Sequence, residues 1–370
     1  MVIARALRRW VLVSAITASP LLPVHPDASA QSTSMSPFAF SSEAGSNQSA
    51  QVLSSADPSN FGPDRDTQAA GTSTGNPPAR SVPEIVLASL LDDLYSDDAK
   101  ARWTPLYLRE YFTEGWDTPF ILAPSSSAGA PRQGWIGAFD GQFFRTWFFA
   151  FAYDQGVNSH IGDGYVGRYT IFAPLNRRLE FQWDSFFIVS NKGGTSNTYH
   201  GNIGDQTFWL KTLLCETKNY GYGTGLGINV PTGRTENGQG ANYLQTGFRF
   251  LGFPFGGSWM IRGETGTIIP LASTGYTQYQ NVLGIGRYFP GLKDSWFQQV
   301  WFYAIATQTS TITGTPRRET LFSLQPGIRF KIPSVTLGTG LWYFLANVNI
   351  PMTGPQAFSY QPIFAILYDY

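Results

Sequence analysis

The last eleven residues, Tyr360-Gln361-Pro362-Ile363-Phe364-Ala365-Ile366-Leu367-Tyr368-Asp369-Tyr370, decide the fold. In steps of two from the end they read Tyr370, Tyr368, Ile366, Phe364, Pro362, Tyr360, all aromatic or apolar. Alternate residues of a strand share a face, so this stretch is a strand with one greasy face. On the edge of a soluble sheet it would be an aggregation hazard. As the closing strand of a barrel whose exterior meets lipid, it is stable.

Composition agrees. Of 370 residues only 14% are charged and 15% are aromatic, with 39 Gly. An average soluble domain carries about a quarter charged residues. Mean hydropathy is nonetheless −0.13, which excludes a bundle of membrane helices and fits strands in which polar and apolar residues alternate. The formal net charge is zero, so there is no electrostatic case for nucleic acid. The one cysteine, Cys215, rules out an intrachain disulfide and a four-cysteine metal site.

Four regions follow in order. Residues 1–30 read as a secretory signal: Arg5, Arg8 and Arg9, then an apolar run from Trp10 to Leu22, then Ala28-Ser29-Ala30 as the cleavage site. Residues 31–80 are rich in Ser, Ala, Gly, Asn, Gln and Pro and cannot bury enough apolar surface to offset their ordering entropy, so they are expected to be a disordered periplasmic linker. Residues 81–139 are a short helix and an irregular lead-in. Ser81-Val82-Pro83-Glu84 is a capping-box pattern, and Leu87, Leu90, Leu91, Leu94 and Tyr95 extend one face of a helix from Ile85 to Tyr95. Asp92, Asp93, Asp97 and Asp98 oppose the dipole at its end.

Residues 140–370 are the barrel. Strands are predicted near 141–153, 164–173, 178–189, 205–215, 220–230, 242–252, 257–269, 277–289, 296–308, 318–330, 334–345 and 359–370. Their connections alternate long and short, as in Asp154 to Asp163 then Pro174 to Arg177, and Pro231 to Ala241 then Phe253 to Gly256. Long outer loops and short periplasmic turns alternate this way in bacterial barrels. The prediction is an all-β, antiparallel, up-and-down transmembrane barrel of about twelve strands in the outer membrane, with both ends and the N-terminal tail periplasmic.

The faces name the lumen. Leu179, Phe181, Trp183, Phe187 and Val189 oppose Glu180, Gln182 and Asp184. Lys211, Arg249, Arg262, Glu264 and Arg329 fall on inward faces by the same alternation, because a charge facing lipid at the midplane costs about 2–4 kcal/mol. Gly221, Gly223, Gly225 and Gly227 form one face of a strand. That row leaves space for a bulky lumenal residue, for the N-terminal segment, or for a passing solute. Two strands stay ambiguous: Arg145 shares a face with Trp147 and Phe149, and Gln299 with Trp301 and Tyr303.

A resemblance adds to this. Gly204-Asp205, Leu210-Lys211 and, after the glycine-rich strand, Pro231-Thr232-Gly233 resemble the group of outer-membrane transporters that includes the phenol meta-degradation pathway type. The likeness runs over residues 140–370, and Phe112-Thr113-Glu114-Gly115-Trp116 is similar to the lead-in of uncharacterised members. The aromatic last residue is similar to the terminal signal of outer-membrane barrels. The resemblance implies passage of small hydrophobic or aromatic solutes. Gly204-Asp205 and Pro231-Thr232-Gly233 are equally turn chemistry.

Partners expected on this reading are outer-membrane lipid, the barrel-assembly machinery during insertion and small solutes. No cofactor is expected: there is no phosphate-binding loop, and Gly284-Ile285-Gly286 lacks a third glycine. Two other classes remain. One is a structural barrel that anchors residues 31–100 to the envelope or to a partner. The other is a hydrolase using the loop histidines His160 and His200, with Ser159 and Asp163 near in sequence.

Overall fold

A computed structural model describes residues 80–132, 134–137, 143–157, 162–193, 196–233, 241–272, 276–291, 297–313, 320–333, 340–354 and 358–370. The signal and linker readings for 1–80 lie almost wholly outside these residues. Thirteen strands form one antiparallel sheet: β1 (Thr146–Gly156), β2 (Gly162–Pro174), β3 (Leu179–Gly193), β4 (Ser196–Asn202), β5 (Gln206–Glu216), β6 (Tyr220–Val230), β7 (Tyr243–Gly252), β8 (Trp259–Pro270), β9 (Gln278–Gly291), β10 (Gln298–Thr311), β11 (Thr320–Lys331), β12 (Leu341–Thr353) and β13 (Gln361–Asp369). Each pairs with its neighbour round the ring, and β13 pairs with β1 from Thr146↔Asp369 to Ala152↔Ile363. The cylinder is therefore closed.

The wall has twelve positions. β3 pairs with β5 along its first half and with β4 along its second. β4 and β5 thus make one stave broken at Ile203-Gly204-Asp205, across which the Gly204 amide donates to the Phe186 carbonyl at 2.7 Å. The stretch 190–204 was expected to be all loop.

The closing strand behaves as its alternation requires. Phe364 and Ile366 are exposed outside while Ile363, Ala365 and Leu367 are buried. Trp147, Trp342 and Tyr368 cluster on the exterior at the seam, with ring centroids 4.7–5.7 Å apart. The Arg145 guanidinium donates to the Tyr370 carbonyl at 2.5 Å and lies over its ring, so Arg145 is a clamp just before β1 and not a lipid-facing charge.

Three readings shift. Bulges reset the alternation in β3, where Gly167 pairs with Ile188 and Arg168 with Phe186. Phe187 and Ile188 both face out, and Val189, expected outside, is buried inside. The eleventh predicted strand, 334–345, is Leu341–Thr353. Asn347 and Asn349 read as loop residues, but both are buried on the inner face. The Gln299 ambiguity is also a bulge, between Gln298 and Trp301; Trp301 and Tyr303 then point inward.

The lead-in carries two helices where one was expected. α1 (Val82–Leu91) starts at Ser81, whose amide donates to Glu84 Oε2 at 2.7 Å. That bond holds the Glu84 carboxyl below its usual value. α1 stops at Asp92, and α2 (Asp97–Ala101) begins after Ser96, whose hydroxyl accepts from the Ala99 amide at 3.2 Å. Acids that oppose a helix C-terminus favour an N-terminus, so Asp97 and Asp98 open a second helix instead of burdening the first.

Candidate functional site: a plugged lumen

The seven charged residues read from alternation, Glu180, Asp184, Lys211, Arg249, Arg262, Glu264 and Arg329, are all buried on the inner face. Strand pairing brings them together. Glu180 lies opposite Lys211 in the β3–β5 register and forms an ion pair with it. Glu180 Oε2 also accepts from the Phe144 amide at 2.7 Å. Arg168 meets Asp184 at 2.5 Å, and Thr170 and Gln182 donate to the same carboxylate at 2.7 and 2.8 Å. Arg249 and Glu264, paired across β7–β8, stand 3.2 Å apart. Arg329 on β11 faces Asp369 on β13 at 3.7 Å, across β12. Buried charge is tolerated when paired and hydrogen-bonded, and these pairs meet that condition.

The charges sit in the half of the lumen nearer the rim where β1 starts and β13 ends. Toward the other rim the inner face turns to amides and hydroxyls: Gln278, Gln280, Thr309, Thr311, Asn349 and Gln361, with Asp154 accepting from Gln361. Such a wall is suited to water.

The charged half holds a piece of chain that is not wall. Residues 126–132 and 134–137 run from the rim into the barrel. Ser126 and Ser127 donate to the Gly257 and Gly256 carbonyls at 2.7 and 3.0 Å. Arg132 donates to the Thr217 carbonyl and faces Glu216 at 3.5 Å. Trp135 then stacks on Tyr303, centroids 5.0 Å apart and 4° from parallel, with Trp301 edge-on and the Arg262 guanidinium 4.9 Å over its ring. Ile136 joins the apolar cluster of Phe148, Leu345 and Ile363. The Gly134 carbonyl accepts from Arg329, and the Ile136 carbonyl from Asn347 at 3.4 Å. Beside this plug lies a cavity of about 50 Å³ touching Phe144, Phe148, Phe172, Lys211 and Arg262, room for a few waters.

Glycines make the fit. A Cβ at Gly286 would stand 2.5 Å from the Trp135 ring, and one at Gly284 3.2 Å from it. The predicted row on β6 is filled differently. A Cβ at Gly227 would lie 2.6 Å from Trp209, and one at Gly225 2.5 Å from Arg249 and 2.9 Å from Lys211. Of the three occupants left open for that row, wall side chains take Gly225 and Gly227. The N-terminal segment takes the equivalent space on β9.

The resemblance motifs also meet. Asp205 accepts from the Gly233 amide at 2.9 Å, and from Asn229 Nδ2 and the Ala241 amide at 3.1 Å. Thr232 donates to the Gly204 carbonyl at 2.8 Å. Gly204-Asp205 and Pro231-Thr232-Gly233 are thus a clasp across the base of one loop. Lys211 belongs to the lumenal pairs.

At the near rim, Glu216 gathers Arg132, Arg177 at 3.7 Å and Trp103 Nε1 at 3.3 Å. Arg178, fully buried, donates to the carbonyls of Glu114, Leu213, Leu214, Tyr107 and Glu110 at 2.8–3.4 Å. Burial pulls both guanidinium pKa values down, and Glu216 pushes back at Arg177. Neither arginine nor Trp135 stood out in the sequence as a site. The signal for Trp135 was Gly284 and Gly286, two inward glycines on one strand. His160 lies outside the described residues, as does the His200 side chain; Asp163 accepts from the Tyr153 hydroxyl at 2.9 Å.

No family model matches the chain, and no curated protein does. Solved barrels are similar in part. An outer membrane channel from Pseudomonas putida F1 is 12% identical, with 65% of this chain and 100% of that one aligned and a TM-score of 0.47. The KdgM porin in complex with disordered oligogalacturonate is 7% identical over 61% and 99%, TM-score 0.36. LpxR from Salmonella typhimurium is 7% identical over 61% and 100%, also at 0.36. The barrel stands on its own strand pairing, and likenesses at this level say nothing of what the chain does.

Proposed function

We propose that the protein is an outer-membrane channel for small solutes, in a closed state. The membrane reading is supported by the exterior: Phe149, Phe151, Leu226, Leu283, Phe302 and Phe364 are exposed around a closed cylinder, and a closed barrel is the β-structure that leaves no unpaired edge in lipid. The observation that carries the channel reading is that part of the filling is not wall. The wall supplies ion pairs and inner apolar patches such as Phe148, Leu345, Trp301 and Tyr303, while Trp135 and Ile136, which pack on those patches, belong to a separate segment held by a handful of hydrogen bonds. A barrel built only to be solid would fill its lumen from its own strands, as small barrels do. The solutes that suit a path past Phe144, Phe148, Phe172 and Trp135 beside Lys211 and Arg262 are small and partly apolar, in keeping with the hydrophobic or aromatic class the motifs imply.

A structural anchor is the second reading, favoured by the extent of lead-in docked on the rim. Planar-bilayer recording and liposome swelling separate the two. Wild-type protein is expected to open rarely, and Trp135→Gly to raise open probability severalfold. If neither conducts current nor passes solute, the channel is wrong and the anchor gains.

A further inference from the structure

We infer that residues 107–112 are an interfacial membrane anchor: Leu108 and Phe112 insert into the phospholipid leaflet beside the barrel. The inference rests on the membrane-barrel reading above. It starts from a notch in the wall. β3 begins at Leu179, opposite Thr212, so β5 runs on to Glu216 without β3 beside it. The lead-in fills that gap. Leu106 makes a two-bond antiparallel bridge to Glu216, each bond 2.8 Å. Arg178 ties Tyr107, Glu110 and Glu114 to Leu213 and Leu214 through their carbonyls.

From this bridge the chain climbs the exterior. Cys215 pairs with outward-facing Tyr222, and its thiol meets the Leu108 backbone. The Tyr111 hydroxyl is 2.9 Å from the hydroxyl of Thr212, which alternates with exposed Leu210 on the outer face of β5. Thr212 is four residues above the strand end, roughly 10 Å along the axis of a tilted barrel. The loop thus reaches up the outer wall from the rim, next to the apolar belt and continuous with it. Gly115 lets it turn back: its φ is +85°, and a Cβ there would lie 3.1 Å from Arg178.

Among the described residues, nothing polar covers the large side chains on the far side of this loop. Phe112 is 88% exposed and Leu108 64%. Tyr107 beside them stacks under Arg109, which is paired with Glu110 at 2.9 Å. An apolar pair flanked by Tyr and Arg is the composition of an interface: rings at headgroup level, a snorkelling cation, aliphatic tips in the acyl region. Three-point fixation to the barrel sets the depth, so little ordering entropy is lost on insertion.

The test uses the full chain in phosphatidylethanolamine–phosphatidylglycerol vesicles, with a bimane label at Leu108→Cys, Phe112→Cys, Lys100→Cys on α2, or Leu283→Cys on the apolar belt. Buried Cys215 serves as the unlabelled background in wild type. Lipids brominated near the top of the acyl chain are the quencher. At least twofold quenching is expected at 108 and 112, deeper-weighted quenching at 283, and none at 100. If 283 is quenched while 108 and 112 match 100 and yield to aqueous iodide, the anchor is wrong and the barrel reading survives. If 283 is not quenched either, both fall. Leu108→Ser/Phe112→Ser gives a readout without a label. It is expected to keep the heat-modifiable gel band of a folded barrel and to lower the rate of insertion into vesicles severalfold; an unchanged rate would overturn the anchor.

Discussion

At the scale of single residues, the polar groups that matter most are those whose partners lie far away in sequence. Arg178 binds five carbonyls across the lead-in and β5. In the sequence it is half of a basic pair in a short turn, indistinguishable from a solvated surface residue. Arg178→Ala leaves those buried acceptors unmatched, and is expected to cost about 3–5 kcal/mol. The checks are the denaturant midpoint and new proteolytic cutting between Trp103 and Trp116. Arg178→Lys should recover only part, since an ammonium cannot span acceptors arranged for a planar fork. Asp205 makes the opposite case. Its motif was visible, and so was its plainer reading as turn chemistry, which the three hydrogen bonds support. Asp205→Ala should free the loop base it clasps, seen as faster cleavage within 234–240, with the lumenal pairs intact.

At the scale of elements, strand alternation was readable wherever one face meets the outside and the other the lumen. It failed where a bulge shifts parity, as at Val189, because an extra residue leaves no mark in composition. It failed again in β12, where Asn347 and Asn349 look like turn residues and are lumenal amides. Strand β10 looked contradictory because its inner face is aromatic. The reason lies outside the strand: Trp301 and Tyr303 receive Trp135, and no local pattern announces a partner more than 160 positions earlier. The glycine rows follow the same rule of facing bulk. Gly286→Val should expel Trp135 and raise conductance, as is expected of Trp135→Gly, with Trp135 emission shifting to the red. Gly225→Val should instead crowd Arg249 and Lys211, lowering stability by about 1–3 kcal/mol without opening the path. Similar conductance from both glycine variants would remove the plug from the account of closure.

At the scale of the whole barrel, one sequence property organises the rest: charge is kept off one face of every described strand across its middle. This is why 14% charged residues suffice for 12 wall positions with paired ions inside. It is also why Arg287, the cation exposed outside on β9, lies near the rim between the rings of Trp259 and Phe289. If the outer face meets acyl chains, the cost of a new outside charge must depend on depth. Phe364→Arg, mid-strand on β13 and exposed, should lower the stability of vesicle-refolded protein by about 2–4 kcal/mol, while Thr320→Arg at the end of β11 should cost no more than about 1 kcal/mol. In a protein facing water the order would differ. Both arginines would be solvated and both substitutions would fall within about 0.5 kcal/mol of wild type. Denaturant titrations of the two variants in vesicles and in detergent therefore decide what wets the exterior. The depth gradient has to appear in the bilayer for the lumen to be the only watery route through the molecule.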